Sequence, residues 1–123
     1  MKLQDLCTKI DSFLTENPDY FVFKIGKTDD IEARQEAPEY KGYRLWHLLN
    51  GTPKEVSDAE IYLINYFMKT STHKNKCQNN RSGGGSDEAD KVYIAVKKEN
   101  FTINDVCKDE TMIDKNLPTN IEL

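Results

Sequence analysis

Apolar residues enter the chain at helical spacing. Leu3, Leu6, Cys7, Ile10, Phe13 and Leu14 fall on one stripe, which predicts an amphipathic helix over residues 2–16. Asn17-Pro18-Asp19 ends it, because a residue before proline avoids helical angles. The pattern then changes. Tyr20-Phe21-Val22-Phe23-Lys24-Ile25 is aromatic and β-branched and predicts a strand that stops at Gly26. Thr28 or Asp29 is placed to cap a short helix running to about Glu36, and Pro38 breaks it. Tyr43 to Leu49 reads as a second strand, followed by a turn at Asn50-Gly51-Thr52-Pro53. Ser57-Asp58-Ala59-Glu60 has a capping-box pattern and predicts a helix from there to about Met68, with Ile61, Ile64, Phe67 and Met68 facing inward. Residues 70–90 are polar and end in Gly83-Gly84-Gly85-Ser86, a loop signature. Val92 to Val96 is a third strand. A short turn of helix after Asn100 and a frayed acidic tail complete the reading.

The order α-β-α-β-α-loop-β predicts an α+β domain with a small three-stranded antiparallel or mixed sheet flanked by helices. We divide the chain into one domain over residues 1–98, including the N-terminal helix, and an acidic C-terminal extension over 99–123. The 123 residues suit one domain with a modest core. No apolar run reaches the length of a membrane span, and the first residues do not read as a secretory signal. The cysteines Cys7, Cys77 and Cys107 are odd in number and far apart, which points to free thiols in a reducing cytoplasm. His73 and Cys77 lack a second pair at zinc-ligand spacing, so a zinc site is not expected.

Charge is unevenly spread. The net charge is −4, and residues 99–123 account for all of it with six acids against two bases. Between Lys69 and Arg81 lie Lys69, Lys74, Lys76, Arg81 and His73 with no acid, a run able to follow a phosphate backbone or simply to be a solvated loop. Gly83-Gly84-Gly85 lacks the Lys-Ser/Thr that a nucleotide-binding P-loop needs.

The string Phe23-Lys24-Ile25-Gly26-Lys27-Thr28-Asp29-Asp30-Ile31-Glu32-Ala33-Arg34 resembles the second strand motif and first helix of the GIY-YIG nuclease family. Glu60, in Ala59-Glu60-Ile61-Tyr62, resembles that family's helix glutamate, and Asn79 or Asn80 its terminal asparagine. The resemblance spans about residues 20–96. It implies a small three-stranded sheet with helices and metal-assisted hydrolysis of DNA phosphodiesters. Glu60 would hold one magnesium or manganese ion, Arg34 a phosphate oxygen, and Asn80 would support the site. Lys24 stands where the family has a tyrosine; beside a tyrosine it would help activate water. The family's first strand motif is missing upstream. Tyr93, in Lys91-Val92-Tyr93-Ile94-Ala95-Val96, would complete the site if the C-terminal strand occupied the vacant slot, a permuted arrangement. Tyr20 and Tyr43 are lesser candidates for that role.

Ordinary readings stand beside each of these. Glu60 also fits a capping box, Arg34 an ion pair with Asp30, Lys24 an edge lysine, Tyr93 a core residue and Asn80 a loop residue. Lys27, Lys74, Lys76 and Arg81 are the expected nucleic-acid contacts, with DNA ahead of RNA. The alternative function is a weak or inactive module of the same fold that binds nucleic acid or a protein. A small stand-alone domain of this kind suits a phage or mobile element. An exposed strand edge leaves room for a protein partner or a homodimer.

Overall fold

The computed structural model describes residues 2–79, 88–98 and 121–122. The first helix, α1 (Leu3–Glu16), buries Leu6, Cys7, Ile10, Phe13 and Leu14, the stripe expected from its spacing. It ends at Asn17, whose side-chain amide and backbone N–H both donate to the Phe13 carbonyl. Strand β1 (Tyr20–Thr28) follows. Thr28 Oγ1 accepts from the Asp30 N–H, and Asp30 caps α2 (Ile31–Glu36) by accepting from the Ala33 N–H. The cap is thus one or two residues later than Thr28 or Asp29. A 3₁₀ turn, Pro38–Tyr40, leads through Gly42, at φ 87°, into strand β2 (Arg44–Asn50).

Helix α3 spans Pro53–Lys69 and begins earlier than the sequence pattern predicts. Thr52 is the N-cap, Pro53 takes the first helical position, and Thr52 and Glu55 form a reciprocal capping box. Ser57 and Glu60 therefore lie inside the helix, and Glu60 has no capping duty. A second 3₁₀ turn, Lys74–Lys76, precedes strand β3 (Lys91–Lys98). The last strand, β4, is the pair Ile121–Glu122.

Strand order in the sheet is β1-β3-β2-β4. The first three strands form an antiparallel sheet, and β4 adds to β2 in parallel. The fold is α+β with a small sheet and flanking helices, as the element order predicts. The strand that comes third in sequence is central in space. The acidic extension returns to the domain at Ile121–Glu122, while the expected helix after Asn100 lies outside the described residues.

Period-two alternation divides the sheet into two faces. Phe23 and Ile25 of β1, Trp46 and Leu48 of β2, and Val92, Ile94 and Val96 of β3 pack against α1 and α3 in the main core. The Phe23 and Phe67 rings meet edge to face at 5.4 Å. Each such side chain contributes roughly 1.5–3 kcal/mol on burial. The opposite face carries a smaller cluster of Tyr40, Leu45, Tyr93 and Ala95, covered by Ile31, Ala37 and Tyr43. No helix among the described residues is long and apolar enough to cross a membrane.

Candidate functional site

The smaller face gathers the chemistry. Register pairs Gly26 with Tyr93, and the Tyr93 ring lies across the glycine. A Cβ on Gly26 would stand 2.3 Å from Tyr93 Oη and 2.4 Å from Cζ. Gly26 is therefore needed for close approach, since any side chain would collide with a buried phenol. Tyr93 is 2% exposed. Its hydroxyl is hydrogen-bonded to that of Tyr40, and the two rings pack edge to face at 5.7 Å. The Lys24 ammonium sits over the Tyr40 ring, 5.2 Å from its centroid.

Arg34 and Glu60 both act on this phenol. Burial is the main cause of a raised Tyr93 pKa, the Tyr40 hydrogen bond adds to it, the Arg34 charge draws it down and Glu60 pushes it up. The helix that carries Arg34 is anchored by the next residue, Gln35. That amide donates to the Tyr43 carbonyl at 2.7 Å and accepts from the Leu45 N–H at 2.9 Å, which fixes α2 against the start of β2. Among the described residues no ion pair engages Arg34, and Asp30 spends its carboxylate on the helix cap.

Glu60 comes from the other side of the sheet. It is 3% exposed, and its Oε1 has no hydrogen-bond partner among the described residues. Burial pushes its pKa up from 4.5 to about 7, with Lys27 opposing. Lys27 adjoins Gly26 but faces α3. It is 4% exposed, and its Nζ donates to Ser57 Oγ at 3.4 Å. Lys27 is thus a buried partner of α3 rather than the surface nucleic-acid contact expected. The reason is parity, because Phe23, Ile25 and Lys27 share the inner face.

A buried, unpaired carboxylate oxygen is expensive unless protonated or met by a cation. A hard divalent ion takes oxygen donors; Glu60 offers one carboxylate, and among the described residues no group of three or more His, Cys, Asp or Glu side chains could hold an ion. His73 and Cys77 are occupied otherwise. His73 Nδ1 contacts Asp11 Oδ1 at 3.1 Å, and its Nε2 contacts Thr15 Oγ1 at 3.2 Å. The Cys77 Sγ contacts Asn79 Oδ1 at 3.5 Å.

The remaining expected residues fall into separate places. Asn79 accepts from the Ile25 N–H and donates to the Ile25 carbonyl, each at 2.8 Å, and so seals the β1 edge. Asn80 and Arg81 lie outside the described residues. Lys76 Nζ contacts the Tyr20 carbonyl at 3.4 Å, at the far end of β1 from Gly26, with exposed Lys74 in the same 3₁₀ turn. Tyr20 and Tyr43, the lesser candidates, do not meet the Tyr93 hydroxyl. The phenol that does is Tyr40, which sequence reasoning missed. Its signal was Pro38, which opens the turn that carries Tyr40 back onto the sheet.

No family model, curated protein or solved structure matches this chain.

Proposed function

We propose that the protein is a metal-dependent nuclease that hydrolyses DNA phosphodiester bonds at the Tyr93 centre, a permuted GIY-YIG-like site. The observation that carries this reading is the Gly26–Tyr93 contact, with Arg34 on α2 and Glu60 on α3 as charged neighbours on opposite sides of the sheet. Tyr93 lies across Gly26 on the central strand, and the charges of Arg34 and Glu60 both bear on its hydroxyl. In this reading Arg34 offsets charge on the phosphate, and Glu60 holds a magnesium or manganese ion. The ion, when bound, offsets negative charge on the phosphate in the transition state. Tyr93 orients the attacking water, and the Arg34 charge works against the burial that raises its pKa. The free thiols of Cys7 and Cys77 suit a reducing cytoplasm.

The test is plasmid cleavage with magnesium or manganese, together with thermal unfolding with and without the ion. Wild-type protein should cleave and gain stability on adding the ion. Glu60→Ala should lose both effects, and Arg34→Ala should lose cleavage alone. Cleavage unchanged by Glu60→Ala would sink the proposal. One observation favours a second reading, a module that binds nucleic acid without cutting it. The Tyr93 hydroxyl is already engaged by Tyr40, and burial holds its proton on. Binding with no cleavage under either ion would select that reading.

A further inference from the structure

The outer face of the sheet continues beyond the Tyr93 centre as a ladder of cross-strand pairs. Gly26 pairs with Tyr93, Lys24 with Ala95, and Val22 with Lys97. Successive rungs on one face are about 7 Å apart, two residues of strand. Lys24 is thus one rung from the phenol and Lys97 the next, on the neighbouring strand. Each ammonium is seated on a tyrosine. Lys24 is over Tyr40, and Lys97 lies over Tyr43, 5.4 Å from its centroid. The Tyr40 and Tyr43 rings pack against each other edge to face at 5.8 Å. A continuous aromatic row, Tyr93-Tyr40-Tyr43, therefore supports two lysines at spaced positions. Neither lysine has a carboxylate partner among the described residues, and Arg34 has none either.

Two ammonium groups without carboxylate partners among the described residues, fixed on one face one rung apart, complement a polyanion with evenly spaced charges. Tyr40 is buried, and both rings are occupied by ammonium groups, so these aromatics do not offer open faces for bases to stack on. The row holds cations in register instead. We propose that Lys97, with Tyr43 beneath it, is a binding residue for a non-scissile phosphate of a DNA strand. That strand runs from the Tyr93 centre across Lys24 to the far end of β3. The proposal rests on the nuclease reading for its starting point and adds a direction of travel and a contact outside the reaction centre.

The test is binding of a short fluorescent DNA duplex, and of one of its single strands, across a salt series with chelator present so that nothing is cleaved. Lys97→Gln should weaken binding about 3- to 10-fold for every sequence alike and reduce the duplex salt slope by about 0.9, one phosphate contact. Lys97→Arg should restore both. Lys54→Gln removes the same charge from an exposed pair with Asp58 on α3 and should change neither. Equal behaviour of Lys97→Gln and wild type, with wild type still binding and cleaving, overturns the Lys97 contact and leaves the nuclease reading standing. Binding through Lys97 without cleavage under magnesium or manganese keeps the contact and removes the nuclease reading. No binding to either probe overturns the contact.

Discussion

Glu60→Gln should separate stability from function. The carboxyl is 3% exposed, one oxygen lacks a hydrogen-bond partner among the described residues, and burial pushes its pKa from 4.5 to about 7. The folded state holds this proton more tightly than the unfolded state. Stability is therefore greatest below the unfolded value and falls as pH rises through 4.5 to about 7, after which the loss is complete. The gap of roughly 2.5 pH units corresponds to about 3 kcal/mol. Glutamine keeps the shape and carries no titration. Its own buried amide imposes a cost that does not change with pH. Urea unfolding of both proteins between pH 4 and pH 8, about the span of this titration, isolates the contribution of this carboxyl. The stability of wild type minus that of Glu60→Gln should drop by about 3 kcal/mol across the series. Adding magnesium or manganese at the upper end should return part of the loss to wild type alone. A flat difference across pH would refute the reasoning, because it would mean that Glu60 reaches water or a partner in the folded chain.

Gly26→Ala should force the Tyr93 ring aside, since the new methyl would sit 2.3 Å from its Oη. A loss of about 1–3 kcal/mol in urea unfolding and of most cleavage is expected, and full activity would mean that the ring can move freely. Tyr66 should titrate at about 12 rather than 10.0, because its hydroxyl is hydrogen-bonded to Asp11 and partly buried. In Asp11→Asn its ultraviolet titration should move back toward the ordinary value. Truncation after Asp90 should abolish cooperative unfolding by circular dichroism, because β1 and β2 pair with β3 and not with each other. A retained sharp urea transition would show that the helices alone sustain the core.

Much of the fold was legible because burial repeats at 3.6 or at two residues. The α1 stripe and the aromatic β1 needed no tertiary information. The start of α3 was misplaced because two capping patterns compete, Thr52-Pro53-Lys54-Glu55 and Ser57-Asp58-Ala59-Glu60. Proline at the first helical position favours the earlier one and turns Glu60 from a cap into a buried acid. The inward direction of Lys27 was also readable in principle, from its parity with Phe23 and Ile25. A buried lysine is uncommon enough that its type outweighed its position. Tyr40, Tyr43 and Lys97 were different. Their arrangement depends on a 3₁₀ turn folding back and on a register between strands some seventy residues apart (β1 and β3). No local pattern encodes such a register.

The order of the strands gives the site its character. Tyr93 comes from β3, the last of the three long strands, yet that strand lies between β1 and β2 and touches both. The centre therefore forms only when the last main strand inserts between two that precede it. Such long-range pairing must be met before it is rewarded, so the site and the core mature together rather than in sequence. Gly26 ties the two events: it is the point where β1 accepts the Tyr93 ring, and on its neighbour Lys27 the same strand turns inward to Glu60. The buried phenol of Tyr93 on one face and the buried carboxyl of Glu60 on the other are thus joined through two adjacent residues of one strand. A change at Gly26 or Lys27 acts on both sides of the sheet at once, whereas a change at Lys97 acts on the outer face alone.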